Sequence, residues 1–407
     1  MELILPHASS KPDAVTAQLD GLQAARLQPF DARTLAFLAA FAERILRDTG
    51  LRSAPELVAL AYWFRPAAIE ILQQRYRQLA EHGLLRPRGV AFHIAPANVD
   101  AVFVYSWFLS LLCGNRNIVR LSKRENPNRT ALLALLGEVM ARPEHADIAA
   151  ANAVLAYARD DGITTDLSAR CHLRVVWGGD ATVRHVRSLP LPPLATELVF
   201  PNRSAWALMD AQTVCEAGDD ALKQAASAFH NDTFWFGQQA CSSPRAVLWI
   251  GNTAQVETAR ARLWPALAAE LKRRGAQDEA AQLSARLVSA HQAAAEAEVT
   301  LASALSDWPL RLMTDSFSPA LRAHHCGYGL LYEIQRDSLD DSAGLFVAED
   351  QTIAYWGFAR EALAAWVCNL PDRAIDRIVP LGQALRFADR WDGHDLLLAF
   401  SRQVVIE

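Results

Sequence analysis

Cysteine, excess basic charge and long apolar runs are all scarce in this chain of 407 residues. The six cysteines, at 113, 171, 215, 241, 326 and 368, contain no CxxC pair and no metal-ligand spacing. Neither a disulfide framework nor a bound metal is expected, and the thiols read as the reduced ones of a cytoplasmic protein. Lys and Arg number 40 against 45 acids, for a formal net charge of -5. Nucleic acid, which needs clustered basic surface, is therefore not an expected partner. The longest apolar stretch, VDAVFVYSWFLSLLC at 99–113, carries Asp100 and is shorter than the roughly 20 residues of a bilayer span. It reads as a buried helix, with no membrane span. The opening MELILPHASSKPD has no basic region before its apolar run, so neither a signal peptide nor an anchor is expected. No GxGxxG follows a strand pattern, and the ordinary dinucleotide fingerprint is missing.

What is present is the composition of a globular protein, 51% hydrophobic and 21% charged, long enough for two domains. Residues 15–85 carry apolar positions at steps of three or four, as in Leu35, Leu38, Phe41 and Ile45, which predicts a helical N-terminal cap. From Gly89 short apolar runs alternate with helical segments: GVAFHIAP, NIVRLS, NAVLAYA, LRVVWGG and TELVF read as five strands of a doubly wound sheet. A second α/β unit is expected around strands at 245–250, LRLMT, GYGLLYEI and LFVAE, with a helix at 360–370. The expected division is 1–210 for the cap and nucleotide-binding domain, and 211–371 for a domain carrying a nucleophile. Residues 372–407 would then return to the first domain or to an oligomer interface. Ligands of such folds bind at the carboxyl ends of the strands, and a cleft between two units is the default site.

Four loops hold candidate chemistry. In FGQQACSSPR, 236–245, Cys241 stands in a polar turn before a strand, where backbone N–H groups favour a thiolate able to attack a carbonyl carbon; a packed, inert thiol is the alternative. In IAPANVD, Pro96 ends a strand and Asn98 precedes a helix, so its amide caps that helix or donates to an oxyanion. In WGGDAT, Gly178 and Gly179 let phosphate oxygens reach backbone N–H groups, with Thr182 in the following helix. In RLSKRE, Arg120, Ser122 and Lys123 suit a nucleotide ribose or 2'-phosphate, or else form a solvated basic turn.

Together these motifs resemble the aldehyde dehydrogenase superfamily and, within it, the LuxC-type acyl-CoA reductases. The resemblance is carried from about residue 89 to 402 by IAPANV, GNRNIVRLSKRENP, VVWGGD, FPNRSAWALMD, NDTFWFGQQACSSPR, QTIAYWGF and RIVPLGQALRFADRWDGHDLLLAFSR. It implies an aldehyde dehydrogenase-like fold of two doubly wound α/β domains, with Cys241 accepting an acyl group from a fatty acyl-CoA or acyl-carrier protein. Asn98 and the Cys241 N–H would hold the oxyanion. NADPH would lie over Pro96, Arg120, Ser122, Lys123, Gly178, Gly179 and Thr182, and acyltransferase or synthetase subunits become possible partners. The oxidising relatives' glutamate falls at Val199 here, so Glu197, on the same strand face, is the candidate base, and His230 is either a proton donor or a helix-end cap. Phe229, Phe234, Trp235 and Phe236 suit an acyl tunnel or aromatic packing. The closing RQVVIE is a candidate edge for a homo-oligomer. An aldehyde dehydrogenase working oxidatively and a non-catalytic acyl-binding subunit are the alternatives.

Overall fold

The computed structural model describes the chain apart from residues 23, 97–100, 124–126, 277 and 407, and the side chains of Ser53, His82, Ala101 and Pro127. Two compact units divide it, Met1–Asn202 with Phe387–Glu407, and Arg203–Arg386.

The first unit is built on β1 (Glu2–Leu5), β2 (Leu84–Pro87), β3 (Val90–Ile94), β4 (Arg116–Leu121), β5 (Asn152–Ala156), β6 (Leu173–Trp177) and β7 (Thr196–Phe200). Its main sheet runs β1-β5-β4-β3-β6-β7, parallel except for the β1 edge. The five expected parallel strands are all there. Strand order reverses between β3 and β6, and a crevice for ligands opens where it does so. The segments after Ile94 and Trp177 therefore leave neighbouring strands at the same edge. Ala32–Arg47 is a helix capped by Asp31, which accepts the Arg33 N–H, and Phe37, Leu38, Phe41 and Ile45 are its buried stripe. Phe37, Phe41 and Phe64 meet Phe108 edge to face at 5.5, 4.9 and 5.2 Å, which fastens the N-terminal helices to the buried helix Ala101–Leu112. No described helix is long and apolar enough to cross a membrane.

The second unit carries a sheet ordered β10-β11-β12-β9-β8-β13-β14, from β8 (Ser204–Asp210), β9 (Pro244–Ile250), β10 (Thr300–Leu301), β11 (Leu310–Met313), β12 (Leu330–Arg336), β13 (Asp350–Trp356) and β14 (Arg377–Pro380). Side chains alternate along β9: Ala246, Leu248 and Ile250 enter one core layer, Val247 and Trp249 the other. The expected boundary at 210 falls at 202 because β8 is a central strand of this second sheet, with Trp206 and Leu208 fully buried. The strand expected at LFVAE begins instead at Asp350; Phe346 and Val347 lie between a short 3-10 turn and β13.

The boundary expected at 371 falls at 386, since β14 pairs with β13. Residues 387–407 belong to the first unit, through β15 (Arg390–Trp391), β16 (His394–Asp395) and β17 (Ser401–Val404). Arg75 pairs with both Asp389 and Asp395, and Asn115 Nδ2 donates to Phe400 O at 2.8 Å. β17, expected as an oligomer edge, pairs antiparallel with β2 of its own chain.

Candidate active site

Cys241 lies on a turn that the neighbouring glutamines make rigid. The helix Asp219–Phe234 gives way to a 3-10 segment, and Phe236, Gly237 and Gln238 all take left-handed backbone angles, with φ of 56°, 57° and 62°. Two non-glycine residues in that region cost energy, so the surroundings must impose it. Gln238 supplies much of that constraint: fully buried, its Nε2 donates to Pro244 O at 2.7 Å and Leu330 O at 3.0 Å, while its Oε1 accepts the Gly329 N–H at 2.7 Å. Gln239 Nε2 donates to Cys326 O at 2.7 Å, and the Tyr328 N–H donates to Gly237 O at 2.9 Å. The Ser243 N–H closes the turn onto Ala240 O at 3.0 Å. The polar character of FGQQACSS is thus turned inward, and Cys241 is held half-buried at the entrance to β9. Burial pushes the Cys113 and Cys171 thiols up to about 12, which leaves them inert packing groups.

The first unit has a cavity of about 150 Å³ at the carboxyl ends of its strands, lined among others by Arg120, Tyr157, Arg159, Thr182 and His185. Arg120 sits over the Tyr157 ring at 5.2 Å and donates to Tyr157 O at 3.3 Å. His185 Nε2 and Asp161 Oδ1 pair at 2.7 Å, and Arg120 and Arg159 bring two guanidiniums to the same lining. Gly178 lies where a Cβ would stand 3.1 Å from Thr182 Cγ2, and Gly179 precedes the helix Asp180–Ser188. Ser122 Oγ accepts from Arg129 at 3.4 Å, and Lys123 is exposed. Pro96 follows β3 at this edge, and Asn98 lies outside the described residues.

Two candidates are placed unfavourably for the roles expected of them. Glu197 is the second residue of β7, far along the strand from its carboxyl end, and is held by Arg174 at 2.7 Å and Arg187 at 3.2 Å. Both of its carboxylate oxygens are thus taken up by guanidiniums at the amino end of the strand. His230 lies within its helix, stacked on Phe234 at 5.5 Å with a buried, unpartnered Nδ1. Burial pushes it down to about 4, so it is a neutral imidazole at pH 7 and caps no helix end. Phe229 is fully buried against Trp264 as core, whereas Phe234, Trp235 and Phe236 keep partial exposure. Arg159 and Tyr157 were given no role, although Tyr157 lies in NAVLAYA and Arg159 directly follows it; Arg245 closes the FGQQACSSPR stretch but was given no role, and His325 carries no motif.

The architecture is that of the aldehyde dehydrogenases. Aldehyde dehydrogenase 21 from Physcomitrella patens aligns with a TM-score of 0.71 at 10% identity, covering 98% of this chain and 91% of that one. A benzaldehyde dehydrogenase from Corynebacterium glutamicum aligns at 0.65 and 14% identity, covering 95% and 87%. Within that architecture the chain belongs to the acyl-CoA reductase (LuxC) family, whose model matches residues 69–322 and so includes Cys241. A long-chain acyl-protein thioester reductase of Aliivibrio fischeri is 27% identical over 169 residues, 41% of this chain and 33% of that protein. The aligned stretch therefore spans about a third of the length of that relative.

Proposed function

We propose that this chain reduces a fatty acyl thioester to the aldehyde through an acyl-Cys241 intermediate, with NADPH as reductant. The observation that carries the reading is a half-buried cysteine on a rigid turn within the matched region of an acyl-CoA reductase family. The Cys241 thiolate attacks the thioester carbonyl carbon, a C–Sγ bond forms, and the carrier leaves as its thiol after taking a proton. This exchange trades one thioester for another and is nearly balanced in free energy. A reduced nicotinamide, when bound, supplies the hydride that the acyl carbon must gain. Sγ then departs with its electron pair as the C–Sγ bond breaks, and free aldehyde is released. The Val199 side chain cannot activate water, and Glu197 is occupied by two arginines, so transfer is favoured over hydrolysis.

The first unit's cavity fits a nucleotide. Arg120, Arg159 and Thr182 line it, and the close backbone at Gly178 and Gly179 admits phosphate at a helix start. The two arginines favour the additional 2'-phosphate of NADPH. A structural neighbour, PnpE in complex with nicotinamide adenine dinucleotide, has a TM-score of 0.64. The name of the Aliivibrio fischeri relative supports a long acyl chain and a protein carrier. The half-buried Phe234, Trp235 and Phe236, which precede Cys241 by five to seven residues, suit such a chain.

Incubation with acyl-CoA is expected to add one acyl mass to the intact protein, and NADPH to remove it with release of aldehyde. Cys241→Ala abolishes both the adduct and turnover. Retention of adduct and turnover in that variant would reject the mechanism.

A further inference from the structure

β9 enters its sheet through an irregularity. Ala205 of β8 pairs with Pro244 and Trp206 with Ala246, so Arg245 is an extra residue opposite no partner on β8. β12 pairs with β9 only from Ala246 onward. An inserted residue of this kind bends its strand and re-aims its side chain, and such bulges recur beside active sites. Arg245 is half-buried, and its Nε is shut from solvent without a hydrogen-bond partner. The titratable and charged groups acting on it are Cys241 from the preceding turn, Arg322 from the helix Pro319–Ala323, and His325 from the segment that follows.

None of these besides Cys241 can become an anion. Asp350, fully buried, is taken up by Arg322 at 2.5 and 2.9 Å and also accepts from Ser204 at 2.6 Å and Trp206 at 2.8 Å. The His325 ring is bound through Nε2 to Leu330 O at 2.9 Å and through Nδ1 to the Gly327 N–H at 3.1 Å. Burial, then the neighbouring Arg245 charge, pushes it down to about 3, so it is neutral. Among the described residues no carboxylate pairs with Arg245. A guanidinium taken out of water without a counter-ion is costly to keep. This one stands four residues after the proposed nucleophile.

We infer that Arg245 is a positioning residue whose guanidinium serves as the counter-ion of the Cys241 thiolate. An opposite charge beside a thiol favours its ionised form, and raises the share of sulfur ready to attack. When the C–Sγ bond breaks and the electron pair returns to sulfur, the same guanidinium receives the anion, so Sγ needs no proton to leave. The inference rests on the reading of Cys241 as nucleophile.

The test is alkylation of the full chain by iodoacetamide across a pH series, followed at Cys241 by peptide mass spectrometry because Cys368 is also exposed. Wild type is expected to react with a midpoint below the ordinary thiol value of about 8.5. Arg245→Gln should raise the midpoint by about one unit and slow the reaction at pH 7 by about tenfold, and Arg245→Lys should stay near wild type. Thiolate absorbance at 240 nm, taken as wild type minus Cys241→Ser, gives the same midpoint without any change at Arg245. A wild-type midpoint at or above the ordinary value overturns the inference. An unchanged midpoint in Arg245→Gln does the same, including when KM for the thioester rises, since that places Arg245 on the carrier instead. Alkylation needs neither thioester nor nucleotide, so failure of the reductase reading and failure of this one are read separately.

Discussion

Gln238 shows how one side chain can set the geometry of a reactive neighbour. Its amide makes three hydrogen bonds to backbone groups of two other segments while the residue itself holds a left-handed backbone. Gln238→Ala would leave the Gly329 N–H and the Pro244 carbonyl short of a partner, while Leu330 O keeps its bond from His325 Nε2. At about 1–3 kcal/mol for each unsatisfied group, partly relieved by relaxation, a loss of about 2–4 kcal/mol is expected. Urea unfolding measures it, and a change under 0.5 kcal/mol would show that the turn does not depend on this amide. The sequence presents Gln238 and Gln239 as a polar approach to Cys241. An amide satisfies water and buried backbone equally well, so polarity could not tell a solvated loop from an internal staple. The placement of Cys241 on a turn before a strand was legible, because small and polar neighbours ahead of an apolar run are unusual company for a packed thiol.

The helix Asp219–Phe234 and the loop after β14 are joined by a single carboxylate. Asp232 is buried and accepts the N–H groups of Gly382 at 2.5 Å and Ala384 at 2.8 Å. Gly382 has a φ of 90°, and a Cβ there would stand 2.9 Å from Ala228, so this loop closes tightly onto the helix. Burial outweighs the two N–H bonds and pushes Asp232 up to about 7. The folded state therefore binds this proton more tightly than the unfolded chain does. Its contribution to stability is complete below the unfolded value near 4 and is lost as pH rises to about 7, by up to ~1.4 kcal/mol per pH unit. Asp232→Asn should remove that slope, as measured by unfolding midpoints between pH 4 and 7; an identical slope in the variant would sink the assignment. At this scale the parallel strands of the first unit were legible as apolar runs, while β8 was not. SAWALMD is as apolar as its neighbours, and only its pairing with β9 and β13 puts it in the second sheet.

Across the whole molecule, buried neutral imidazoles set the response to acid. Inside the first unit His93 Nε2 donates to Asn117 Oδ1 at 3.1 Å and Nδ1 accepts the Ser106 hydroxyl at 2.9 Å, and burial pushes the ring down to about 4. His230 and His325 in the second unit are pushed to about 4 and about 3 by the same cause. Each contributes stability that is present above the unfolded value near 6.5 and lost as pH falls toward the folded value. Three such groups outweigh the opposing slope of Asp232, leaving a net loss of up to ~3 kcal/mol per pH unit below 6.5. Urea midpoints should fall steeply between pH 6.5 and 4.5, and a flat profile would contradict the burial of these rings. The sequence by itself determined the class of fold, the helical N-terminal cap, the five parallel strands of the first sheet and the cysteine turn, because these are written in local periodicity and in residue types with narrow uses. Tertiary structure alone decided where the units divide, that β17 pairs with β2, that Glu197 is bound by two arginines and that, among the described residues, no carboxylate pairs with Arg245. Those outcomes depend on which distant segments meet, and the electrostatic character of a side chain is set by such neighbours more than by its own chemistry.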